Sequence, residues 1–71
     1  MKDPISFDYP RQKWFYELGS RKSTGFPSRI ECAKAYTREL VRRDPKYKVM
    51  LQGKTWTEVF RLLGIKMEAG A

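Results

Sequence analysis

The chain has 71 residues and carries 15 Lys and Arg against 8 Asp and Glu, a formal net charge of +7, with no histidine. A body this small forms one domain and buries only about 60–65% of its unfolded surface, so its core is thin. The single Cys32 excludes an internal disulfide, and without a Cys/His cluster there is no structural zinc site to replace it. Ten aromatic side chains must therefore supply much of the packing.

Residues 1–9 read as an N-terminal arm. The alternation of Ile5, Phe7 and Tyr9 suits either a short extended segment laid across the core or a loose arm. A helical basic domain is expected over residues 10–66, with a frayed tail over 67–71. Pro10 suits the first position of a helix running from Arg11 to Leu18 and ending at Gly19, with Trp14 and Leu18 on one face. Residues 20–27 form a polar, basic loop around Arg21 and Lys22.

Ser28 with Glu31 makes a capping box that opens the longest helix, extending to about Arg43. Ile30, Ala33, Thr37, Leu40 and Val41 are its apolar stripe. Lys34, Arg38 and Arg42 form a basic stripe beside it, and Glu39 is spaced to pair with Arg43. Asp44-Pro45 stops this helix and starts another, in which Tyr47, Met50 and Leu51 share a face before Gly53. The alternation of Tyr47, Val49 and Leu51 keeps a strand open there. Thr55 with Glu58 caps a last helix bearing Trp56, Val59, Phe60 and Leu63. It ends at Gly64, with Ile65 placed for a Schellman contact.

The fold expected from these elements is all-α, a small single domain of three to four short helices. Its core would hold Trp14, Leu18, Ile30, Leu40, Val41, Trp56, Val59, Phe60 and Leu63. The alternative keeps three helices and pairs residues 4–9 with 46–52 as a small two-stranded ribbon.

The stretch from Thr55 to Ile65, with Glu58-Val59 ahead of Leu63-Gly64-Ile65, resembles the opening helix and turn of helix-turn-helix modules. That resemblance covers these residues alone. It implies DNA reading by a second helix, which the residues after Ile65 are too few to form, so the helix from Ser28 would have to supply the reading face.

The chemistry of the chain points away from catalysis. Without histidine the commonest general base near neutral pH is missing. Cys32, near a helix N-terminus, is a nucleophile only if the helix dipole lowers its pKa, and the simpler expectation is a small buried residue. No phosphate-loop or dinucleotide fingerprint is present, and no cofactor is expected.

The basic residues carry the positive argument. Arg21 and Lys22 feed a helix N-terminus where free N–H groups and the Ser28 hydroxyl suit an anion. Lys34, Arg38 and Arg42 span about 12 Å, long enough to follow neighbouring phosphates, and Arg43, Lys46 and Lys48 extend the charge past the Asp-Pro corner. The function expected is a non-enzymatic nucleic-acid-binding module of the regulatory or accessory kind, with DNA favoured over RNA. These nine residues would contact backbone phosphates, and a homodimer would strengthen the grip. The alternative is a small basic adaptor docking on an acidic protein surface of a larger machine such as a polymerase or nuclease. No helix combines a basic face with a broad apolar one, so no membrane partner is expected. A lone thiol and the lack of a leader-like segment suit an intracellular setting, cytoplasmic, nucleoid or nuclear.

Overall fold

The computed structural model describes residues 3–66, and the expected tail at 67–71 lies outside them. The chain is not all-α. Three antiparallel strands come first, β1 (Ile5–Asp8), β2 (Lys13–Leu18) and β3 (Arg21–Lys22), in the order β1-β2-β3. Three helices follow, α1 (Arg29–Arg43), α2 (Pro45–Leu51) and α3 (Trp56–Leu62). A sheet is therefore present, as in the ribbon alternative, but its pairing differs. Residues 5–8 pair with 13–16, and residues 46–52 belong to a helix and the turn after it.

The expected helix at Arg11–Leu18 fails for a physical reason. Trp14 and Leu18 share a face at a spacing of four in a helix, but also in a strand, where every second residue faces the same way. Tyr16 between them decides the matter. The register sets Ile5 opposite Tyr16 and Phe7 opposite Trp14, so these residues line one face with Leu18. The run of Trp14, Phe15 and Tyr16 also favours a pleated surface.

Both turns carry strand chemistry. Gln12 donates its N–H to the Tyr9 carbonyl at 3.3 Å, with Pro10 at the second position of that turn and Gln12 at φ 54°. Leu18 pairs with Arg21 across the two-residue link Gly19-Ser20. Gly19, expected to cap a helix, takes φ 64° at the first position of the link, the glycine placement of a type II′ hairpin.

Past β3 the chain stays beside β2. The N–H and carbonyl of Trp14 bond to Phe26 at 3.0 and 2.8 Å. Between these points the Ser23 hydroxyl accepts from the Tyr16 N–H at 2.9 Å and donates to the Thr24 carbonyl at 2.9 Å, so a side chain completes the ladder.

The helices start and stop where the sequence says. Ser28 Oγ accepts from the Glu31 N–H, and Thr55 Oγ1 from the Glu58 N–H, both at 3.3 Å. Asp44 caps the end of α1 with its backbone N–H and the start of α2 with its carboxylate, which accepts from the Lys46 N–H at 3.1 Å. Beyond α3 the Ile65 N–H reaches the Phe60 carbonyl at 2.9 Å and the Gly64 N–H reaches Arg61 at 3.3 Å, with Gly64 at φ 75°. This is the expected Schellman closure, and Ile65 and Phe60 are both buried beneath it.

The core joins Ile5 of the sheet, Cys32, Ala33 and Leu40 of α1, Leu51 of α2, and Val59, Phe60, Leu63 and Ile65. Trp14, Leu18 and Val41 pack against it half-buried. Ile30 and Trp56, both expected inside, are 43% and 39% exposed. The buried stripe of α1 is rotated toward Cys32 because α1 also covers the sheet, with Tyr36 edge-on to Tyr16 at 5.5 Å. Thr37 is buried and donates its hydroxyl to the Ala33 carbonyl at 2.9 Å. Val49 is 76% exposed while Leu51 is buried, which fits the helical reading of that segment.

A polar clasp ties the first strand to the residues after α3. Asp3 accepts from the Ile5 N–H at 2.9 Å and from the Lys66 N–H at 3.1 Å, and it pairs with Arg29. Arg29 also donates to the Lys66 carbonyl at 2.7 Å and lies over the Trp14 ring at 5.3 Å. Among the described residues no helix is long and apolar enough to cross a membrane.

Candidate functional site

Arg21 and Lys22 make up the whole of β3 and are exposed. They belong to the sheet's edge, not to a loose loop. Lys22 stands opposite Glu17, with its Nζ 5.4 Å from the Phe15 ring, and Arg21 stands opposite Leu18. Beside them, Tyr16, Ser23, Phe26, Glu39 and Arg43 complete a groove of about 310 Å³ between β3 and the last turns of α1. The fold thus brings Arg21 and Lys22 to Arg43 from the far end of the long helix.

The helix ridge is less free than its spacing implies. Arg42 grips Glu39 with two bonds of 2.7 and 3.2 Å, and Arg43 reaches the same carboxylate at 3.1 Å. Those bonds, first from Arg42 and then from Arg43, hold the Glu39 carboxyl below the usual carboxylate range. The expected Glu39–Arg43 pair is present, and Arg42 shares it. Lys34 holds its Nζ 5.4 Å from the Trp56 ring. Arg38 has no carboxylate partner among the described residues, and with Lys34 it borders a groove over Phe26 and Ala35.

The Ser28 hydroxyl, expected to serve an anion, is already engaged as a helix cap, and the Ser23 hydroxyl is engaged in the ladder. Lys46 and Lys48 sit exposed on α2. Lys48 borders a different groove, with Thr37, Val41, Leu51, Lys54, Trp56 and Val59.

A further feature lies outside the residues that the sequence pattern singles out. A cleft of about 540 Å³ at the β1–β2 turn is lined by Phe7, Tyr9, Trp14 and Phe15 together with Arg11, Lys13 and Lys22. Phe7 packs edge-on to Tyr9 and to Trp14, each at 4.9 Å, and Tyr9 is 79% exposed. Gly25 lets the Lys13 stem lie close across it, since a Cβ there would meet Lys13 Cδ at 2.6 Å. The cleft was hidden because a helix at Arg11–Leu18 sends Arg11 and Lys13 away from Trp14. The available signal was the Gly19-Ser20 link, which marks a hairpin and puts Lys13 and Phe15 on one face. Lys22 borders both the cleft and the β3–α1 groove and so joins the cations of the two.

Cys32 is completely buried. Burial, helped by Asp3 and opposed by Arg29, pushes its thiol from an ordinary 9.0 up to about 11. Desolvation outweighs the pull of Arg29, and the sulfur is a packing atom. At pH 8 the folded chain should react with a thiol reagent about 100-fold more slowly than the urea-unfolded chain, from the two-unit loss of thiolate alone. Because the folded pKa is the higher one, this thiol's contribution to stability is complete below about pH 9 and is lost as pH rises through about 11. Equal labelling rates in the two states would refute the buried assignment.

Comparison with protein-family models, with curated proteins and with solved structures finds no match to this chain.

Proposed function

We propose that the protein is a non-enzymatic nucleic-acid-binding module, with DNA favoured over RNA, that holds backbone phosphates along β3 and the adjoining end of α1. The observation that carries this reading is the strip in which Arg21, Lys22 and Arg43 meet across one groove while Lys13 and Arg11 continue it along the sheet. Glu39 is the acid within the groove, and Arg42 and Arg43 already neutralise it. The net charge of +7 adds long-range attraction for a polyanion. Arg38 adds an exposed guanidinium on the outer side of α1. The lack of histidine and the buried thiol support a binding role over a catalytic one.

Each phosphate contact releases counterions, so its loss is read in the salt dependence of binding. Replacing Arg21→Ala together with Lys22→Ala should make the slope of log K against log salt shallower by about 1.8 on duplex DNA, or about 1.4 on a single strand. Anisotropy titrations of labelled oligonucleotides from low to physiological salt check this, with circular dichroism confirming the fold. An unchanged slope would remove β3 from the interface.

The adaptor reading keeps one observation of its own. The groove between α1, α2 and α3 is apolar, carries the exposed Trp56, and has Lys48 and Lys54 on its rim. A complex with an acidic protein that survives high salt and is lost on Trp56→Ala would favour it.

A further inference from the structure

We infer that the cleft at the β1–β2 turn is a seat for an unpaired nucleobase, so that single-stranded nucleic acid is the polymer this module grips. The inference rests on the phosphate-binding reading above and names its substrate class.

Four aromatic residues line that cleft, with Phe7 in ring contact with both Tyr9 and Trp14, and of these only Trp14 also packs on the core. Tyr9 is 79% exposed, and neither Phe7 nor Phe15 belongs to the buried cluster or to the half-buried side chains packed on it. An aromatic ring left in water is unfavourable unless something covers it. Tyr9 is nevertheless positioned, held edge-on by Phe7 at 4.9 Å. A planar base stacked there would cover apolar surface at little ordering cost.

The rim supplies what a nucleotide carries besides its base. Lys13, held close over Gly25, and Lys22, placed over Phe15, stand beside the rings, and Arg11 is 83% exposed by side chain. Asp8 is the carboxylate at the cleft, and Arg11 faces it at 3.9 Å. A volume of about 540 Å³ lies in the range of small-molecule sites, about 300–1,000 Å³. From Lys22 the cations run on to Arg21 and Arg43, which gives the flanking phosphates a continuous track. In a duplex the faces of the bases are already stacked on one another. Rings that offer a stacking surface therefore select a strand whose bases are free.

The test separates bases from charge. Labelled oligonucleotides of equal length and equal phosphate number are compared by anisotropy at physiological salt: a base-bearing single strand, its abasic counterpart, and the duplex. The base-bearing strand should bind about tenfold more tightly than the abasic one, and more tightly than the duplex. Tyr9→Ala, at an exposed position that the fold does not need, should bring the base-bearing strand down to the abasic level while leaving abasic binding unchanged. Equal binding of base-bearing and abasic strands would overturn the cleft assignment and leave the phosphate reading standing. So would a preference for duplex, or a Tyr9→Ala chain that binds as the parent does. If no strand binds at physiological salt, the phosphate reading falls, and the nucleobase seat with it.

Discussion

Phe60→Ala is expected to remove a large part of the chain's stability at 25 °C. Phe60 is the largest fully buried side chain, 1% exposed, and it lies among residues contributed by the sheet, α1 and α3. Truncating a buried Phe costs about 3–5 kcal/mol, the upper end applying where neighbours cannot collapse into the space. At about 0.05–0.15 kcal/mol per residue, a chain of this length holds about 4–11 kcal/mol in total. The loss therefore removes about a quarter of the stability at least, and most or all of it where the total is at the low end. Phe60 also stands where its carbonyl receives the Ile65 N–H, so a cavity there loosens the Schellman closure that buries Ile65. Urea unfolding followed by circular dichroism gives the result directly. A loss below about 1 kcal/mol would mean that the core is centred elsewhere.

Arg29→Ala should destabilise the chain by about 2–3 kcal/mol, less than a fully buried pair would cost because some water reaches it. Its side chain is 16% exposed and that of its partner Asp3 is 19% exposed. The guanidinium serves three neighbours at once, the Asp3 carboxylate, the Lys66 carbonyl and the Trp14 ring. Removing it leaves a mostly desolvated carboxylate with only the Ile5 and Lys66 N–H groups for company. Arg29→Lys should recover little of the loss, since an ammonium lacks the planar fork that reaches the Asp3 carboxylate and the Lys66 carbonyl together. The urea midpoint should fall with its slope unchanged. Full stability in Arg29→Lys would show that charge alone matters and that the fork does not.

The helical half of the fold was legible because its signals are local. Ser28, Asp44, Thr55 and Gly64 each sit at a helix boundary and act through a hydrogen bond or a backbone angle within a few residues. The strand half was not, because a spacing of four satisfies both periods and Pro10 suits a turn as well as a helix start. The strand pairing also depends on Ile5 and Phe7, whose role appears only once β2 is extended. The site followed the fold. Arg21, Lys22 and Arg43 were legible as charges, but their meeting depends on a strand lying against a helix end. Tyr9, Lys13 and Phe15 went unselected because a helix there scatters them. The clasp joins Asp3, Arg29 and Lys66, and no short-range pattern announces a partner so far along the chain.

That distance also bears on time. The elements pack largely as they are strung: β1 with β2, β2 with β3, then α1 across β2 and against α2. Such neighbours meet early and cheaply during folding. The Asp3–Lys66 bond closes a span of 63 residues, the kind of contact whose entropy is met only after the body between has collapsed. An interaction that forms after the folding barrier has little influence on how fast the native state appears and much on how fast it is left. The clasp is thus expected to act as a brake on unfolding, so that Arg29→Ala speeds unfolding more than it slows folding in urea-jump kinetics.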